Sequence, residues 1–132
     1  MKLLVDENLP PRLATALHTI FEPDHQVVAL RAKFGRPSVT DEEWIVALGR
    51  EGGWAVLSGD VRIARKKPSR DAFLSANLVG FFFSPSVGKL DLARKCARVL
   101  TLWPDMVTLR NTVANGVYEL PTSGKKFRTI GR

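Results

Sequence analysis

Cysteine is almost missing from this chain of 132 residues: Cys96 stands alone, so no internal disulfide can form. It falls on the apolar stripe of an expected helix, where a thiol is buried and inert rather than catalytic. Long apolar runs are missing as well. None approaches the roughly 20 residues that a membrane span requires, so no membrane partner is expected. Repeats, low-complexity stretches and a linker long enough to divide the chain are absent. A single domain over residues 1–132 is therefore expected, with a core over about 1–115 and a C-terminal hairpin and basic tail over about 116–132. The start runs straight into strand and acid with no signal-peptide pattern, and a cytoplasmic location is the expectation. Histidine is scarce too. His18 falls inside the first expected helix and His25 precedes the second strand, so both read as structural or solvated.

What is present is a 45% apolar fraction, enough for one proper core, and a net charge of +7. A basic surface attracts polyanions, chiefly nucleic acid, or the acidic tail of a protein partner. Residues 2–5, 26–30, 54–57 and 78–83 are short, almost wholly apolar and rich in Val, Leu and Phe. Strands buried on both faces look like this, so an α/β fold with a mainly parallel sheet is expected. A first helix opens at Pro10-Pro11 and keeps Leu13, Leu17, Ile20 and Phe21 at helical spacing. A second opens at Thr40-Asp41-Glu42-Glu43, a capping-box pattern followed by Trp44, Ile45 and Leu48. A third is expected over about 69–76, a fourth over 89–102 and a short fifth after Pro104. Pro121-Thr122-Ser123-Gly124 separates two arms, 117–120 and 126–130, which predicts the terminal hairpin. The apolar surface from Trp103 to Val107 could bury in a homodimer or in the core.

The acids follow from this order. With right-handed crossovers, strand one runs up to Asp6, strand two runs up to the loop 31–39, the second helix begins on that same edge, and strand three runs up to Asp60. Asp6, Asp41, Glu42, Glu43 and Asp60 then share one edge. If strands one and three are neighbours, Asp6 and Asp60 flank the topological switch point, where ligands of such sheets bind. Gathered carboxylates repel unless a cation compensates. Mg²⁺ and Mn²⁺ take oxygen ligands, and an ion so held can generate hydroxide and stabilise in-line displacement at phosphorus. Each acid also has a plainer reading. Asp6 could cap the first helix, Asp41 and Glu42 favour the positive end of the second, Glu43 pairs with Thr40 in the capping box, and Asp60 could cap a turn at 61–64.

Basic residues lie around these acids. Arg31, Lys33 and Arg36 occupy the loop on that edge, and Arg62, Arg65, Lys66, Lys67 and Arg70 follow Asp60. Carboxylates ringed by Arg and Lys suit phosphodiester cleavage, with a metal for the scissile phosphate and cations for its neighbours. The plainer reading is a solvated basic face. The tail, with Lys125, Lys126, Arg128 and Arg132, has no acid after Glu119 and could extend a groove, meet a partner or guard an edge strand. Ser123-Gly124-Lys125-Lys126 mimics the end of a P-loop, but its spacing to Gly116 and the missing Ser or Thr after the lysine exclude one.

Three motifs carry a family resemblance: Asp6-Glu7-Asn8-Leu9-Pro10 after the first strand, Asp41-Glu42-Glu43-Trp44-Ile45 opening a helix, and Val56-Leu57-Ser58-Gly59-Asp60 closing a strand. Over roughly residues 1–100 the chain resembles the PIN-like domain proteins, relatives of the VapC-type toxins. The resemblance implies a three-layer α/β/α sandwich. It implies an endoribonuclease dependent on Mg²⁺ or Mn²⁺, with Asp6, Asp41 or Glu42, and Asp60 as the metal-binding and catalytic acids. It implies RNA as substrate and the role of toxin with a cognate antitoxin. Where many such domains carry a further acid after the third-strand aspartate, this chain has Val61, Arg62 and Ile63. The alternative is a degenerate module that binds RNA or a protein without cutting. A phosphoacceptor receiver domain would need a lysine at the end of a later strand, and only Lys89 lies near one.

Overall fold

The computed structural model describes residues 1–35 and 39–131, so Arg36 and Arg132 lie outside the described residues. Strands β1 (Lys2–Val5), β2 (Gln26–Ala29), β3 (Trp54–Ser58), β4 (Val79–Phe83), β5 (Gly116–Leu120) and β6 (Arg128–Thr129) form one sheet in the order β2-β1-β3-β4-β5-β6. Neighbours from β2 to β5 pair in parallel, and β6 pairs antiparallel with β5. The helices are α1 (Pro11–Phe21), α2 (Leu30–Phe34), α3 (Asp41–Glu51), α4 (Val61–Arg65), α5 (Lys67–Ser75), α6 (Pro85–Gly88) and α7 (Leu92–Thr112).

Side chains alternate across each strand, so apolar runs feed two cores at once. Leu3, Val5, Ala55, Leu57, Val79, Phe81 and Phe83 pack on one face beneath Leu13 and Leu17 of α1 and Val99, Leu102, Trp103 and Met106 of α7. Leu4, Trp54, Val56 and Phe82 pack on the other beneath Trp44, Ile45 and Leu48 of α3, Ala64 of α4 and Phe73 of α5. The result is the expected three-layer α/β/α arrangement. Trp103 and Met106 belong to the first core, whereas Pro104 between them is exposed.

Four local expectations need correction. The loop after β2 contains a helical turn, α2, which carries Arg31 and Lys33. The fourth helix starts at Leu92 rather than residue 89, because the Asp91 side chain caps it by accepting from the Arg94 N–H at 2.9 Å. It then runs through Pro104 without stopping. Proline removes one backbone bond there, but Val99, Leu102, Trp103 and Met106 are buried on both sides of it, and packing outweighs that loss. The first arm of the terminal hairpin is also an integral strand: β5 pairs along its whole length with β4, from Val79↔Gly116 to Phe83↔Leu120.

Phe73 ties α5 to the sheet. Its ring meets Trp44 edge-on at 5.8 Å and Phe82 at 5.7 Å. Gly80 leaves the space, since a Cβ there would lie 3.1 Å from the Phe73 ring and 2.6 Å from that of Phe82. Phe73→Ala is expected to destabilise the protein by about 3–5 kcal/mol in urea unfolding. A loss under about 1 kcal/mol would mean that the ring does not anchor α5.

Candidate functional site

The site begins with the pairing of β1 and β3, in register at Val5↔Leu57. Both strands end on the same edge, and the Asp6 N–H continues the ladder to the Leu57 carbonyl at 2.9 Å. This puts the Asp6 side chain beside Ser58. Asp6 is only 5% exposed. Its Oδ1 accepts from the Glu7 N–H at 2.7 Å and its Oδ2 from the Ser58 hydroxyl at 3.2 Å. Among the described residues α1 has no side-chain cap, so the capping reading of Asp6 is excluded.

Ser58 is the hub. Its Oγ donates to Asp6 and accepts from Asn8 Nδ2 at 3.0 Å and from the Asp60 N–H at 3.4 Å. That uses its one proton and both lone pairs. Asn8 Oδ1 accepts in turn from the Gly59 N–H at 3.0 Å, so the loops after β1 and β3 are bonded together. Gly59 permits this approach, because a Cβ there would lie 2.8 Å from Leu9 Cδ2. Sequence reasoning gave neither Asn8 nor Ser58 a role. Their only signal is position, two residues from Asp6 and from Asp60 respectively.

The acids differ in state. Burial pushes the Asp6 carboxyl up to about 6, against the opposing hydrogen bond from Glu7, and the negative charge of Asp41 adds to the rise. Asp41 accepts from Trp44 Nε1 at 3.2 Å in the first turn of α3. Thr40 caps that helix, accepting from the Glu43 N–H at 3.2 Å. Glu42 lines two clefts between α3 and α5 with Ile45 and Ala72, and Asp41 borders one of them. Of Asp41 and Glu42, it is Asp41 whose charge raises the Asp6 carboxyl. Asp60 is held below the ordinary carboxylate range, first by its bond to the Arg62 guanidinium. It also caps α4, accepting from the Arg62 N–H at 3.0 Å, as its plainer reading expected.

The basic residues divide in the same way. Arg31 lines a cleft of about 190 Å³ with Asp6, Glu7 and Leu30. Arg62 and Arg65 line one of about 420 Å³ with Asn8, Asp60 and Pro85. Lys33 does not reach this edge. Its ammonium bonds Glu51 at 3.0 Å and lies 4.8 Å from the Trp54 ring centre, at the other end of β3, because an ion pair and an aromatic face are available there. Lys66 is exposed. Lys67 pairs with Asp71 at 2.8 Å along α5. Arg70 donates to the Arg65 carbonyl at 3.2 Å and so finishes α4, a structural duty. His18 accepts from the Val27 N–H at 3.1 Å, and His25 meets Phe21 and Trp103 edge-on, so both are structural.

A divalent ion needs several oxygen ligands on one point. Among the described residues, no group of three or more His, Cys, Asp and Glu side chains could hold one. Asp6, Asp41, Glu42 and Asp60 share an edge but do not form the expected shell. Glu42 faces α5, and both oxygens of Asp60 are bonded to Arg62, at 3.0 and 3.2 Å. As they stand, these side chains do not fit the metal centre that the resemblance implies.

The family model described as a PIN-like domain matches residues 1–85, from the residue before β1 through β4 to the first residue of α6. No curated protein and no solved structure matches the chain.

The raised Asp6 carboxyl makes a prediction about stability. A folded-state value above the unfolded one means that the native protein binds this proton more tightly, so stability falls as pH rises from about 4 to about 6 and then levels off. In chelator at neutral pH, Asp6→Asn is expected to raise stability by about 1–3 kcal/mol and to flatten that fall. Chemical denaturation at a series of pH values measures both, and a destabilised variant with an unchanged pH dependence would refute the burial argument.

Proposed function

This chain belongs to the PIN-like domain family, and from that premise we propose that it is an endoribonuclease working at the crevice after β1 and β3. The family carries a nuclease-type fold, and such domains generally use divalent metals. The observation that carries the reading is Asp6: a buried carboxyl at the topological switch point, hydrogen-bonded to Ser58, beside clefts rimmed by Arg31, Arg62 and Arg65. Arginine suits phosphate because its planar fork bonds two oxygens at once. Asp6, ionised near neutral pH, is suited to draw a proton from an attacking water. Ser58 and Asn8 orient it. Dependence on Mg²⁺ or Mn²⁺ belongs to the proposal as the family expectation, and no catalytic step is assigned to an ion that these acids do not gather around.

The test is cleavage of total RNA, including tRNA, by the purified protein with Mn²⁺, with Mg²⁺ and with EDTA, beside Asp6→Asn. Cutting that needs metal and falls at least about 100-fold in the variant is expected. Equal cutting by the variant would put the site elsewhere. Salt-sensitive RNA binding without cutting, unaffected by EDTA, would turn the reading to the degenerate binding module.

The three motifs that resemble those of PIN-like domain proteins, relatives of the VapC-type toxins, support one extension: the enzyme acts as the toxin of a toxin–antitoxin pair. Expression of the parent should then arrest growth and Asp6→Asn should not, with relief by a cognate antitoxin. Harmless expression of an active nuclease would remove the toxin role.

A further inference from the structure

Asp60 is one of the acids that the family resemblance implies as metal ligands, yet in this chain it already has a cation. The Arg62 Nε donates to its Oδ1 at 3.0 Å and Nη2 to its Oδ2 at 3.2 Å. The Arg62 N–H adds a third bond to Oδ1 at 3.0 Å, which the start of α4 requires in any case. A forked guanidinium on a carboxylate covers the oxygens that a divalent ion would use. The sequence explains why this happens here. Among Val61, Arg62 and Ile63, where many domains of the family this chain resembles carry a further acid, Arg62 stands two residues after the N-cap Asp60 and folds back onto it. Its side chain is 82% exposed and lines the cleft of about 420 Å³ beside Asn8 and Arg65.

We infer that the Arg62 guanidinium replaces a metal ion at Asp60, so that any ion the chain takes is held without Asp60. This rests on the nuclease reading only for the identity of the anion that the site receives. A guanidinium has five N–H groups, and the contacts to Asp60 use two of them. The other three remain for a phosphodiester in the cleft. The site then meets RNA with a fixed single positive charge where a two-metal nuclease would present a removable double one.

The experiment is a Mn²⁺ titration without RNA, read by the loss of the free-ion electron paramagnetic resonance signal. It compares the parent, Asp60→Asn, Arg62→Gln and the double variant. Asparagine is as good an N-cap as aspartate, so α4 keeps its start in the Asp60 variants. Arg62→Gln is expected to bind Mn²⁺ about tenfold more tightly than the parent, Asp60→Asn to stay within about twofold of it, and the double variant to lose the gain. The inference is overturned if Arg62→Gln binds no more tightly than the parent, if Asp60→Asn alone weakens binding about tenfold, or if the gain survives in the double variant. Because no RNA is present, these outcomes are independent of whether the parent cleaves.

Discussion

Everything at the candidate site depends on the parallel ladder between β1 and β3. These strands are separated by some fifty residues of helix, strand and loop, yet Val5 and Leu57 are partners. The register is fixed by burial on both faces, since a slip of one residue would exchange the Leu3–Val5 side with the Leu4 side. That same register sets Asp6 against Ser58. Once the hydroxyl is there, its remaining capacity draws in Asn8 and the Asp60 N–H, and two loops become one polar surface. The chemistry of the edge thus follows from the packing of the sheet below it.

The strands and their ends were legible because each apolar run stops on a polar residue, as at Val5-Asp6 and Ser58-Gly59-Asp60. The choice of a parallel sheet followed from the same runs. Helix starts were legible where a cap stands before them: Thr40 caps α3 and Asp60 caps α4. The continuity of α7 through Pro104 was not, because local propensity argues for a break while the burial that overrides it comes from strands distant in sequence. The place of β5 was half legible. Its turn was visible, but its pairing with β4 is a long-range fact that no local pattern carries.

For the site, sequence could order the acids along one edge but could not aim them. Asp41 and Glu42 are neighbours in sequence and about 100° apart around a helix, and although both border a cleft against α5, only the charge of Asp41 is felt at Asp6. Lys33 and Arg31 show the same thing within one helical turn. Arg31 lines the Asp6 cleft, whereas Lys33 reaches back to Glu51 and Trp54. Ser58 and Asn8 were overlooked because a hydroxyl and an amide announce no chemistry until a carboxyl is set beside them.

The two aspartates at the switch point have been driven in opposite directions. Asp6 is buried among apolar strands, and desolvation outweighs its two hydrogen bonds, so its charged form is held at a cost. Asp60 lies nearer solvent and is fully served by one guanidinium and a helix start, so its charge is at rest. Groups whose surroundings separate their proton affinities in this way divide the work of a site between them. The proposed reading follows this division, with Asp6 as the reactive acid and Asp60 as the anchor of Arg62. Asp6 and Asp60 thus form an asymmetrical pair, and the residue that sets them apart is Arg62, whose guanidinium bonds both oxygens of Asp60.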